Sequence, residues 1–292
     1  MYQGSYVAIV TPFKDNKLDE NGLRRNIKFL IANGSSGVVA CATTGESPSL
    51  NDDEYERVVR ISVEETKDKV PVIAGAGTNS TTKTIKLVHQ AKEYGAQGVL
   101  VVTPYYNKPT QEGLYEHYRK VSEESELPII VYNVPGRTGC NILPKTVARL
   151  AKDCKNIVGI KEASGNLDQV SEIRGLCGDD FDILSGDDSL TFPMLAIGAK
   201  GVISVIANIL PKDVALMCKL FFENKIQQAR EIHLKLFPII KLLFIETSPS
   251  PIKKAMELMD MAAGKPRLPL VEMSQENTFA LKKALIEYGV KL

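Results

Sequence analysis

Short apolar runs and longer amphipathic stretches alternate through the first three-quarters of the chain. The runs lie at 6–10, 37–40, 70–74, 98–102, 129–133, 157–161, 181–185 and 201–204 and are rich in β-branched residues. They are largely apolar, without regular alternation of polar residues, which predicts parallel strands buried on both faces. The stretches between them read as helices. In 21–32, Leu23, Ile27, Leu30 and Ile31 share one helix face, and 80–94 opens on Ser and Thr residues suited to capping. Eight such units predict an α/β fold, a (β/α)8 TIM barrel. After residue 224 the pattern becomes helical only, at 225–245, 250–259 and 274–288, punctuated by Pro249, Pro251, Gly264, Pro266 and Pro269. The expected organisation is a catalytic barrel over 1–224 and a helical domain over 225–292. The alternative, a doubly wound open sheet, would have fewer strands and a glycine-rich phosphate loop.

Composition narrows the function classes. The 292 residues are 44% hydrophobic and 24% charged, with 36 basic and 35 acidic residues interspersed along the chain. No basic face points to nucleic acid. The opening MYQGSYVAIV lacks the basic region and apolar length of a signal peptide, and the apolar stretch 234–245 is broken by Lys235, Pro238 and Lys241, so no membrane partner is expected. Five scattered cysteines without a CxxC and three widely separated histidines suggest reduced thiols, a cytoplasmic protein and no metal.

Barrel active sites sit at the carboxyl ends of the strands, so the residues that follow each run carry the candidate chemistry. They include Thr43 and Thr44, Tyr105 and Tyr106, Tyr132, Arg137, Lys161 and Gly186. Lys161 ends an apolar run, which takes its stem out of water. Desolvation disfavours the ammonium form, and a neutral amine can attack a ketone to form an imine. The plainer reading is a lysine that snorkels to water or pairs with Glu162. Tyr106 and Tyr132 can relay protons with Thr44 between them, or simply pack at strand ends. Arg137, after the turn Pro135-Gly136, can hold a carboxylate bidentately or be an ordinary surface arginine. Thr43 and Thr44 can hold a carboxylate or cap a helix. Asp187 and Asp188 read as caps of the helix that follows them. The segment Gly75-Ala76-Gly77 is a weak near-match to a dinucleotide loop.

The segments GVVACATTGESPSL, PVIAGAGTNST, VTPYYNKPTQEGLYEHY, IIVYNVPGRTG, IVGIKEASG and ILSGDD together resemble the dihydrodipicolinate synthase family, of the pyruvate-dependent class I aldolase superfamily. The resemblance implies condensation of pyruvate with L-aspartate 4-semialdehyde in lysine and diaminopimelate biosynthesis, without a cofactor. It implies that Lys161 forms the Schiff base and that Thr44, Tyr106 and Tyr132 relay protons. Thr43 and Thr44 hold the pyruvate carboxylate, Arg137 receives the semialdehyde, and Gly186 and Ile203 line the pocket. It further implies a homotetramer of two tight dimers, with Tyr106 donated across the dimer interface. N-acetylneuraminate lyase and 2-keto-3-deoxy-sugar-acid aldolases are the nearest alternatives, and Arg137 argues against a polyol substrate.

Lysine-sensitive relatives bind lysine at that interface. Ser47, Asn79 and Tyr105 match their pattern. Asp52 and Tyr55 stand where histidines are often found, and Lys83 stands where a glutamate meets the effector's ammonium group. The expectation is an enzyme that lysine does not inhibit.

Overall fold

The computed structural model describes residues 2–67 and 69–292. Eight parallel strands close into a barrel: β1 (Gly4–Ala8), β2 (Gly37–Ala40), β3 (Val72–Gly75), β4 (Gly98–Val102), β5 (Ile129–Asn133), β6 (Ile157–Glu162), β7 (Asp182–Ser185) and β8 (Gly201–Ser204). Each pairs with its neighbour in sequence, and β8 closes on β1 through Tyr6 opposite Ile203. This is the TIM barrel that the sequence pattern predicts, with strand ends within two residues of those read from it. A small antiparallel ribbon, Phe13–Lys14 with Lys17–Leu18, follows β1.

The helices around the barrel are α1 (Glu20–Ala32), α2 (Asp52–Thr66), α3 (Thr81–Glu93), α4 (Gln111–Glu124), α5 (Pro144–Asp153), α6 (Leu167–Cys177), α7 (Thr191–Ala196) and α8 (Pro211–Phe222). Local sequence starts them. Asp19 accepts from the Gly22 amide ahead of α1, Asn51 and Glu54 form a reciprocal capping box on α2, and Ser80 caps α3. Three further helices complete the chain: α9 (Ile226–Leu242), α10 (Ser250–Leu258) and α11 (Gln275–Tyr288). α9 carries Pro238 in its interior, packs on α8, and is itself covered by α11.

The strands divide the core into two layers, because successive residues point to opposite faces. Inside the barrel lie Tyr6, Val39, Ile73, Leu100, Ile130 and Leu184, while Ile129, Val131 and Ile160 face the helices. Tyr2 and Tyr6 meet edge to face, 5.7 Å between centroids, at the amino end of the barrel. One ladder is irregular. On β5 and β6, Ile129 pairs with Ile157 and Ile130 with Gly159, so Val158 is skipped.

Gly75 and Gly77 serve packing. A Cβ on Gly75 would lie 2.2 Å from the Cys41 carbonyl oxygen, and one on Gly77 would lie 2.2 Å from the Val102 nitrogen. Close strand and loop approach accounts for the glycines that look like a phosphate loop.

Candidate active site

Lys161 and Tyr132 are cross-strand partners on β6 and β5. Both are buried, 4% and 6% exposed, and the Lys161 Nζ lies 4.2 Å from the centre of the Tyr132 ring. Glu162, the plainer partner read from the sequence, does not meet Lys161. Its carboxylate accepts from Asn133, Ser164 and Gln169 instead. The turn after β7 fits against the lysine stem. A Cβ on Gly186 would come 2.7 Å from the Ala163 Cβ and 3.1 Å from both Cγ and Cε of Lys161. Ile203 is buried within the same interior layer.

Thr43 and Thr44 occupy a tight turn after β2, closed by the Gly45 amide on Ala42 O and the Glu46 amide on Thr43 O. The amides of Thr43 and Thr44 find no backbone acceptor among the described residues, which leaves them free to meet an anion. Neither threonine side chain caps α2, a role that falls to Asn51. The turn is held from beneath. Glu46, in left-handed conformation at φ +54, turns its buried carboxylate to Lys253 Nζ at 2.5 Å and to the Arg267 amide at 2.8 Å. Lys253 also donates to the carbonyls of Thr11 and Lys265, and burial pulls its ammonium below the usual range against the opposing pull of Glu46. Helix α10 is thereby tied to the threonine turn.

Tyr106 lies apart from these groups. Its φ is +74 and its side chain is 89% exposed, on a turn fastened by its amide to Thr138 O. Arg137 sits on the helical turn Pro135–Thr138 that follows β5, and its Nη2 donates to Ser248 O at 3.3 Å. The two aspartates after β7 divide their roles. Asp187 caps the turn over Ser189, as the sequence suggests, but Asp188 accepts from the amides of Val205 and Ile206 and so ties β7 to the exit of β8. Burial pushes the Asp188 carboxyl above its ordinary value.

A cavity of about 410 Å³ opens at this rim, lined by Thr43, Tyr132 and Arg137 together with Ser47, Asp52 and Tyr55. Tyr105 also borders it. Lys161 is not among its lining residues, but its Nζ lies against the Tyr132 ring, which is. The two remaining positions near the expected effector site differ: Asn79 accepts from the Asn107 side chain through its carbonyl, and Lys83 stands exposed in the first turn of α3. Asp52 pairs with Lys86 at 3.4 Å. The Tyr55 hydroxyl is buried without a hydrogen-bond partner among the described residues, and burial pushes its phenol well up.

The model of the dihydrodipicolinate synthetase family matches residues 1–288. The chain belongs to the dihydrodipicolinate synthetase family. A 4-hydroxy-tetrahydrodipicolinate synthase of Geotalea uraniireducens is 54% identical over 99% of this chain and 100% of its own length. The dihydrodipicolinate synthase structure from Thermotoga maritima superposes with a TM-score of 0.98 at 49% identity, covering 100% of both chains. A structure described as the first monomeric dihydrodipicolinate synthase variant gives 0.98 at 48%, covering 99% of this chain and 98% of that one. As a dihydrodipicolinate synthetase family member the chain is an enzyme, a lyase of the class I aldolase type. The sequence offers Glu162 only as a partner for Lys161 and gives Glu46 no role, whereas in the structure both are buried carboxylates that brace the strands and turns behind the site.

Proposed function

We propose that this chain condenses pyruvate with L-aspartate 4-semialdehyde through a Schiff base on Lys161, giving 4-hydroxy-tetrahydrodipicolinate on the route to diaminopimelate and lysine. The observation that carries the reading is the buried Lys161 amine held against the Tyr132 ring. The amine attacks the ketone carbon, and loss of water leaves a protonated imine. That imine draws electrons from the adjacent methyl carbon, which gives up a proton to form an enamine. The enamine carbon then bonds to the aldehyde of the second substrate, whose amine later displaces Lys161 and closes the ring. No cofactor takes part in this scheme.

The free amides of Thr43 and Thr44 receive the pyruvate carboxylate, and Thr44 and Tyr132 pass protons at the imine. Gly186 and Ile203 shape the space around the imine. Tyr106 is too exposed to serve its own chain and reaches the site of a second copy, so the working unit is a tight dimer, paired into a tetramer. Arg137 binds the semialdehyde carboxylate. Arg137→Ala should raise the semialdehyde KM about tenfold or more, the scale of a lost charged hydrogen bond, and leave the pyruvate KM nearly unchanged. An effect on pyruvate alone would assign Arg137 to the other half of the reaction.

Lysine does not inhibit this enzyme. Lys83 presents a cation where the effector's own cation would lie, Asp52 is engaged by Lys86, and the Tyr55 phenol is buried.

A further inference from the structure

We infer that Glu162, with Asn133, Asn141 and Gln169, is a positioning network that decides which way Lys161 faces. The inference rests on Lys161 being the Schiff-base residue. Strict alternation along β6 would place residues 157, 159 and 161 on one face. Ile157 packs in the helix-facing layer, so an unbroken strand would turn Lys161 outward into apolar surroundings. The skipped Val158 reverses the phase. Ile157 and Ile160, three positions apart, both face the helices, whereas Val158 and Ala163 pack with the barrel interior. Lys161 consequently points inward and Glu162 outward. A one-residue slip exchanges the two faces, so something beyond the irregularity has to hold the new phase.

The carboxylate of Glu162 supplies that hold. It is 1% exposed and accepts from the Ser164 amide at 2.6 Å, Asn133 Nδ2 at 3.0 Å and Gln169 Nε2 at 3.1 Å. Asn133 is its cross-strand partner and the chain neighbour of Tyr132, so one hydrogen bond joins the backs of both active strands. Asn141 closes the group. Its Oδ1 accepts from Asn133 and Gln169, and its Nδ2 donates to Gln169 Oε1. The Asn133 Oδ1 takes the Ile142 amide. All three donors to Glu162 are uncharged, an unfavourable setting for a buried carboxylate unless every bond is kept. Slippage would strand those donors, bring an anion into the barrel and carry the lysine into the helix layer.

The test begins with the parent enzyme, incubated with pyruvate and borohydride and mapped by peptide mass. An adduct on Lys161 approaching one per chain secures the Schiff-base assignment on which the inference rests, and its absence refutes that assignment separately. In Glu162→Gln both former acceptor positions face N–H groups, so the new amide meets a donor in either orientation. The trapped fraction and kcat should fall together, by about tenfold or more, as expected when a reacting group is misplaced. The pyruvate KM of the remaining active fraction should stay within about twofold, with the circular dichroism unchanged. A folded Glu162→Gln enzyme that traps one adduct per chain with kcat within about twofold of the parent overturns the inference. Should that variant fail to fold, Gln169→Met removes a single donor from the outer edge. It should lower trapping by roughly threefold, and full trapping overturns the inference equally.

Discussion

Tyr132 and Tyr106 leave neighbouring strands of one barrel and end in opposite surroundings. Tyr132 lies within β5, 6% exposed, with the Lys161 Nζ 4.2 Å from its ring centre. Tyr106 lies past the end of β4, 89% exposed, in a left-handed conformation that costs a residue with a side chain about 1 kcal/mol or more. A strained backbone that displays a bare aromatic ring makes little sense for a lone chain. The same geometry suits a ring that fills a neighbour's site. On the proposed reading, the difference between the two regions means that one chain completes the imine-forming half of the site and leaves the second phenol to another copy.

The comparison can be broken most sharply at Lys161. Lys161→Ala should lower turnover by roughly 10⁴ or more, the scale on which removal of a covalent nucleophile is felt. Retention of measurable turnover in that variant would move the chemistry elsewhere. The division between chains is tested by mixing Lys161→Ala with Tyr106→Phe under conditions of subunit exchange. Neither variant alone should be competent, and random pairing should restore about a quarter of the sites. No recovery would return Tyr106 to its own chain's site or to a packing role. Tyr132→Phe, measured as kcat with both substrates saturating, should cost on the order of 10²–10³, within the range of general acid–base groups, with the adduct on Lys161 still formed. A parental rate would make the phenol a packing group. Gly186→Ala presses a methyl group on Ala163 and the Lys161 stem, and kcat should fall about ten- to a hundredfold. An unaffected kcat would mean that the stem moves aside freely. The smallest effect concerns lysine. Titrated at sub-saturating pyruvate, L-lysine should change the rate little, and inhibition in the sub-millimolar range would contradict the reading of Lys83, Asp52 and Tyr55.

The barrel was legible because its strands are apolar on both faces and because polar turns follow each of them. The residues at those turns stood out for the same reason. What stayed hidden depends on contacts between distant segments. The 2.5 Å pair between Glu46 and Lys253 joins residues 207 positions apart, and no local pattern marks it. The direction of Lys161 was hidden differently, since regular alternation from Ile157 gives the wrong face and only the skipped Val158 corrects it. Asp188 resembles a helix cap by sequence and instead ties the β7 exit to the amides of Val205 and Ile206, which lie next to the β8 strand. The long reach of the buried polar groups, rather than any weakness of the strand signal, separates the readable from the unreadable parts.

The most direct measurement is borohydride reduction of the wild-type enzyme in the presence of pyruvate, followed by mass mapping of every lysine-containing peptide. A single three-carbon adduct on Lys161, formed only with pyruvate present, is the predicted result. An adduct on another lysine, or none at saturating pyruvate, would contradict the assignment of Lys161 as the nucleophile of this barrel.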